Sequence, residues 1–135
     1  MSLSGRSLVF VFAIAMFGMV SAEDAVTTGN SNGISYASGG IGLDSRAALL
    51  AREREYNLMV ILSLEDGHYL GGAALTVRDP VGKVVLRIDA KGPWVFARLP
   101  PGSYTVEANA RNTTRKSQVV IEKKTRLKRV HLMWT

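Results

Sequence analysis

The stretch Gly92-Pro93-Trp94-Val95-Phe96-Ala97-Arg98-Leu99-Pro100-Pro101-Gly102-Ser103-Tyr104-Thr105-Val106 decides how the chain is read. Lys91-Gly92-Pro93 is a turn, because Gly and Pro punctuate regular structure. Trp94 to Arg98 is rich in aromatic and β-branched residues and reads as a strand. Pro93 has no N–H to give a ladder, so this strand starts at an edge or a break. Pro100-Pro101-Gly102 is a tight turn of type II composition, with Gly where φ is positive. Tyr104, Val106 and Ala108 then alternate with Thr105, Glu107 and Asn109, the period-two signature of a half-buried strand with a polar outer face.

Outward from this centre the same signals recur. Leu58, Val60, Leu62 and Leu64 alternate with Met59, Ile61 and Ser63, so residues 56–64 read as a strand buried on both faces. Glu65-Asp66-Gly67 is a turn, and Ala74 to Arg78 a strand. Asp79-Pro80-Val81-Gly82 is a β-turn, in which Asp bonds the turn backbone and Pro pre-sets φ. Lys83 to Ile88, Ser117 to Ile121 and Leu127 to Trp134 complete about seven short strands, the pattern of an antiparallel β-sandwich.

The stretch quoted above resembles carboxypeptidase regulatory-like domains. The matching positions are Gly92, Trp94, Phe96, Leu99, Pro100, Pro101, Gly102 and Tyr104, with Asp89 in the preceding turn. Leu70 to Asp79 resembles the start of the same domain, and the likeness covers about residues 56–121. It implies a prealbumin-like (transthyretin-like) seven-strand Greek-key sandwich, mostly β, with Trp94, Phe96 and Tyr104 on the inner face. It carries almost no implication for function. Transthyretin-like folds also include hydroxyisourate hydrolases, which end in Tyr-Arg-Gly-Ser, whereas this chain ends Leu132-Met133-Trp134-Thr135.

Ahead of the domain lie three other segments. Residues 1–22 have a short positive start at Arg6, an apolar run from Leu8 to Val20 and the small residues Ser21-Ala22, the order of a cleavable secretory signal peptide. The apolar run is shorter than the roughly 20 residues that span a bilayer, so no stable span is expected after cleavage. Cleavage leaves 113 of the 135 residues and lowers the formal charge from +6 to +5 with the loss of Arg6. Residues 23–43, rich in Gly, Ser, Thr and Asn, read as a flexible linker. Residues 44–55 read as a short helix capped by Asp44 or Ser45, laying Ala47, Leu50 and Ala51 on a sheet.

The chain has no cysteine, which excludes disulfide staples, thiol nucleophiles and lipidation at cysteine. This composition, with the export signal, points to a periplasmic or secreted protein. Only His68 and His131 are present, without metal spacing. Gly39-Gly40-Ile41-Gly42 lacks the Lys-Ser/Thr of a phosphate loop and reads as a flexible joint. Glu65, Asp66, Asp79 and Asp89 have turn roles. Asn112-Thr113-Thr114 reads as a hairpin tip, although it matches a glycosylation acceptor. No Gly-x-Ser-x-Gly elbow or triad stands out, so no enzyme and no cofactor are expected.

The sharpest charge feature is Lys123, Lys124, Arg126, Lys128 and Arg129, with Arg115 and Lys116 nearby across a hairpin. These seven are the candidate anion-binding residues; the same charges would also keep an edge strand from aggregating. The expected function is a non-catalytic envelope module that binds a protein partner or an anionic glycan or lipid surface, and not nucleic acid. The alternative is a structural partner that accepts a strand at residues 56–64 or at the last strand.

Overall fold

The computed structural model describes residues 26–124 and 126–135. The expected signal at 1–22 and the first residues of the expected linker lie outside them. Among the described residues there are nine strands and one α-helix: β1 (Thr27–Ser31), β2 (Ile34–Gly39), α1 (Leu43–Leu50), β3 (Leu58–Leu64), β4 (Ala74–Arg78), β5 (Val84–Asp89), β6 (Trp94–Ala97), β7 (Gly102–Ala110), β8 (Thr113–Ile121) and β9 (Lys128–Trp134). A 3₁₀ turn, Glu53–Glu55, follows the helix.

The strands form two sheets, ordered β1-β2-β6-β3-β9 and β5-β4-β7-β8. Leu58, Val60, Leu62, Val95 and Leu132 of the first share one apolar core with Leu75, Val77, Leu86, Val106 and Ile121 of the second. The strand count therefore exceeds the expected seven. Strands β3 to β9 fall where strands were read, and β1 and β2 come from the stretch read as linker. One pair also departs from the antiparallel expectation: β3 and β9 run parallel, with Val60 opposite Val130 and Leu62 opposite Leu132.

Residues 27–39 are ordered by a turn. Asn32 and Gly33 have φ of 54° and 81°, the two positive values of a two-residue I′ hairpin. Ser31 then opposes Ile34, and Thr27 opposes Ser38. β2 continues onto β6, pairing Ala37 with Phe96. The Tyr36 ring lies across Gly29, where a Cβ would strike it. The segment is part of the sheet, which corrects the linker reading.

The helix also differs from its expectation. It stands between β2 and β3 in the chain, not ahead of every strand. Its cap residue is Gly42, with no side-chain cap bond, rather than Asp44 or Ser45. Ser45 is buried and its Oγ accepts the Gly40 N–H at 2.8 Å. The buried side is Ser45 and Leu49, while Ala47, Leu50 and Ala51 face outward. Leu49 packs with Ala37, Tyr56, Met59, Trp94 and Phe96 on the outer face of the five-stranded sheet.

That second cluster explains the aromatic residues. Strand side chains alternate between faces, so Val95 and Ala97 enter the inter-sheet core. Trp94 and Phe96 therefore point away from it, under α1. Their ring centroids are 6.5 Å apart at 77°, and Tyr56 lies 5.7 Å from Phe96. Of the three rings expected inside, only Tyr104 belongs to the inter-sheet core. Its hydroxyl donates to the Pro100 carbonyl at 2.7 Å, tying the start of β7 to the turn before it.

Candidate functional site

The seven basic residues do not form one cluster. β8 ends one sheet and β9 ends the other, so the two strands are not a hairpin and the chain passes from one sheet to the other between them. Arg115 and Lys116 lie five and six residues before Ile121. At about 3.3 Å per residue that is roughly 15–20 Å from the crossing. The Trp134 Nε1–H donates to the Thr113 carbonyl at 2.9 Å, so the far end of β9 meets that end of β8. Lys116 opposes Glu107, which also holds the Arg78 Nε–H at 3.2 Å. Arg115 is half-buried, with Nε enclosed.

The other five stay together. Lys123, Lys124, Arg126 and Arg129 are exposed and Lys128 is half-buried, all within one crossing and the start of β9. A depression of about 310 Å³ beside them is lined in part by Arg98, Pro100, Pro101, Glu122 and Lys123. The exposed Arg98 thus joins the group, a residue the sequence did not single out because it belongs to another strand's end. Its placement follows from Asn57. The buried Asn57 Nδ2–H donates to the Leu99 carbonyl and its Oδ1 accepts the Leu99 N–H, both at 2.9 Å. The Asn57 carbonyl accepts the Lys128 N–H at 2.9 Å. One residue therefore fixes both flanks of the basic end.

Negative charge at this end is sparse. Glu53 approaches Arg129 at 3.9 Å, between side chains 40% and 59% exposed. Such pairs are weak and screened by salt. Clustered like charges with few counter-charges raise the local concentration of anions.

Elsewhere the polar groups serve the fold. Ser63 Oγ and His131 Nε2 are 2.6 Å apart on the outer face of the five-stranded sheet. A serine–imidazole contact is the first requirement of a nucleophile–base pair. Ser63, however, is only 4% exposed, which shuts a substrate carbonyl out. Sequence reading missed this pair, 68 residues apart, because only the parallel β3–β9 pairing brings it together. His68 sits in the turn after β3, its Nδ1 at 3.0 Å from Asp66. Among the described residues no group of three or more His, Asp or Glu is placed to hold a metal ion.

β2 ends at Gly39 and leads into the Gly39-Gly40-Ile41-Gly42 segment. Gly40 takes φ of 100°, a Cβ there would crowd Trp94, and its carbonyl receives the Arg46 Nε–H at 3.0 Å. The segment is a packed joint whose Gly40 amide already serves Ser45. Asp79 behaves as its turn composition implies: Oδ1 accepts the Val81 and Lys83 N–H groups at 3.0 and 2.9 Å. A shallow groove of about 450 Å³ on the outer face of the four-stranded sheet includes Arg78, Glu107 and Lys116. Its charges are of both signs, and Arg78 is already engaged by Glu107 and by the Gly82 carbonyl at 3.1 Å.

Compared with protein-family models and with curated proteins, the chain matches none.

Proposed function

We propose that the chain is a non-catalytic, exported binding module of the cell envelope, built on a carboxypeptidase regulatory-like, prealbumin-like unit of strands β3 to β9. In this reading the basic end engages a surface bearing phosphate or carboxylate groups, as an anionic lipid or an acidic glycan does. The observation that carries it is the set Arg98, Lys123, Lys124, Arg126 and Arg129, all exposed at one end and faced there by Glu53 and Glu122. Arg115 and Lys116 fall outside this site. The β1–β2 hairpin and α1 are an elaboration of the unit.

Vesicles of phosphatidylcholine with and without phosphatidylglycerol, and a soluble polyanionic glycan, distinguish the sources. The expected result is binding that weakens as salt rises from 50 to 300 mM, roughly as exposed charges are screened. The triple variant K123E/K124E/R126E should abolish it while the cooperative unfolding transition is retained. Binding that ignores both salt and charge reversal would overturn the reading.

A further inference from the structure

We propose that the ligand of the basic end is an anionic lipid, whose head group lies on Arg98 and Lys123 while one acyl chain enters the gap between the two sheets beside them. The inference rests on the basic-end reading for the head group and adds the cavity that takes the tail. It concerns the end of the sandwich and not a sheet edge. Strand addition at residues 56–64 has no edge to use, because β3 lies between β6 and β9.

The topology brings an apolar opening to this end. β7 starts at Gly102, directly after the Pro100-Pro101 turn. It pairs antiparallel with β4, with Arg78 opposite Thr105, so the turn from β4 to β5 closes at the same end. The Asn32-Gly33 hairpin tip arrives there too, because Tyr36 of β2 pairs with Ala97 at the end of β6. Between these three turns lies a cavity of about 460 Å³, lined in part by Ile34, Val84, Val85, Pro100, Tyr104 and Lys83. Sites for small molecules occupy about 300–1,000 Å³. Ile34 belongs to the five-stranded sheet, and Val84, Val85 and Tyr104 to the other, so the cavity enters between the layers. Ile34 and Tyr104 are members of the inter-sheet core, and Val85 packs against it. The Tyr104 hydroxyl is spent on the Pro100 carbonyl, which leaves the ring as an apolar wall.

Two observations set the chemistry of the occupant. Gly33 and Pro100 line both this cavity and the depression that holds Arg98 and Lys123. An apolar slot thus adjoins the cationic patch, and one molecule fills both only if it joins an apolar tail to a negative head. The second observation is Lys83, the one charged residue among the described residues that line the cavity, and an exposed one. Asp79, in the same turn, directs Oδ1 to the backbone N–H groups of Val81 and Lys83. Lys83 therefore adds a positive charge at the mouth of the slot, on the side away from Arg98, and favours an anion there. A polyanionic glycan has charge for the patch and nothing apolar for the slot. Burying methylenes is favourable in proportion to the area removed from water. The slot beside the patch therefore selects a lipid over a glycan.

The experiment titrates the full-length chain with butyl, hexyl, octyl and decyl phosphate below their micelle concentrations. Glycerol phosphate serves as the head group alone and octyl glucoside as the tail alone. Affinity should rise at least tenfold from butyl to octyl phosphate and then level off, with both halves alone binding far more weakly. Methyl resonances of Ile34, Val84 and Val85 should show contacts with the probe's methylenes. Val84→Phe fills the slot from a half-buried position at the start of β5 and should remove most of the gain with chain length. Should that variant unfold, the methyl contacts on the parent chain decide. Lys83→Gln should weaken octyl phosphate severalfold. Phosphatidylglycerol vesicles should displace bound octyl phosphate; no displacement would overturn the proposal in favour of a free monomeric amphiphile. Salt-sensitive binding that is indifferent to chain length would overturn this proposal alone and leave the basic-end reading standing. Chain-length dependence that ignores salt and K123E/K124E/R126E would overturn both, in favour of an uncharged apolar ligand. Contacts of the same methyls with residues 8–20 of the chain itself, persisting with probe present, would also overturn it.

Discussion

Asn57 and Leu99 exchange two hydrogen bonds of 2.9 Å across 42 residues of sequence, the side-chain amide of one closing on both backbone groups of the other. Asn57 is 8% exposed and Leu99 2%. Neither Leu99 group can turn to water if the amide is removed. Leaving a buried donor or acceptor unpaired costs about 1–3 kcal/mol each. Asn57→Ala should therefore lower stability by roughly 2–4 kcal/mol in denaturant titration. It should also loosen Arg98, the neighbour of Leu99, and weaken anion binding beyond what stability explains, while the Lys128 N–H keeps its bond to the backbone carbonyl of residue 57. Asn57→Asp keeps the acceptor for the Leu99 N–H but sets a buried carboxylate oxygen against the Leu99 carbonyl, so at neutral pH its cost should be at least that of alanine.

Much of this framework is legible in the sequence. Period-two runs place β3 to β9 within a residue or two at most boundaries, and Asp79-Pro80-Val81-Gly82 closes its turn with the bonds that its composition implies. The hairpin of β1 and β2 is a different case. Its Gly, Ser, Thr and Asn content resembles a linker, yet Asn32-Gly33 is among the strongest two-residue hairpin signals. The local signal outweighs composition because both residues accept positive φ. β6 shows the limit in the other direction. Alternation says that Val95 and Phe96 face opposite ways, but only the presence of α1 on the outer face makes both sides apolar. In the basic segment, charge order along the chain cannot show that β8 and β9 belong to different sheets. The length of β8 in turn separates Arg115 and Lys116 from Lys123.

Gly92 and Gly39 set the spacing where β6 begins. A Cβ at Gly92 would collide with the Gly39 carbonyl oxygen and lie 3.1 Å from its Cα, and both are backbone that no rotamer change can move. Gly92→Ala should cost on the order of 1–3 kcal/mol, the usual range for forced overpacking. The change should appear in the near-ultraviolet circular dichroism of Trp94, two residues away. Gly33→Ala, at φ of 81° with open space around its Cβ, tests strain without a clash.

Tyr104 links the Pro100 turn to pH. Burial pushes its hydroxyl above the ordinary 10.0, and Asp79 adds to that. Tyr56 is raised as well, by burial first and by Glu55 second. A group whose pKa is higher in the folded state contributes stability that is complete below its unfolded value and lost as pH rises through the folded one. Unfolding midpoints should be flat below pH 9 from this source and fall above about pH 10. Tyr104→Phe should remove part of that alkaline fall. At neutral pH it should cost about 1 kcal/mol for the lost bond to the Pro100 carbonyl.

The helix offers the sharpest contrast between neighbouring residues. Leu49 is fully buried against Phe96 and Trp94, whereas Leu50 is 43% exposed. Deleting a buried leucine side chain removes its transfer energy and leaves a cavity that the sheet face cannot fill, at about 2–5 kcal/mol. An exposed substitution away from caps and strain stays within about 0.5 kcal/mol. Leu49→Ala should therefore unfold far more easily than the parent chain, and Leu50→Ala should be nearly silent in the same thermal scan. The opposite ranking would mean that α1 lies on the sheet by the side bearing Ala47, Leu50 and Ala51. That would cover Ala51 and close the cavity of about 300 Å³ that it lines with Val26, Thr28, Ala48 and Arg52. The two alanine variants thus check which side of α1 rests on the sheet.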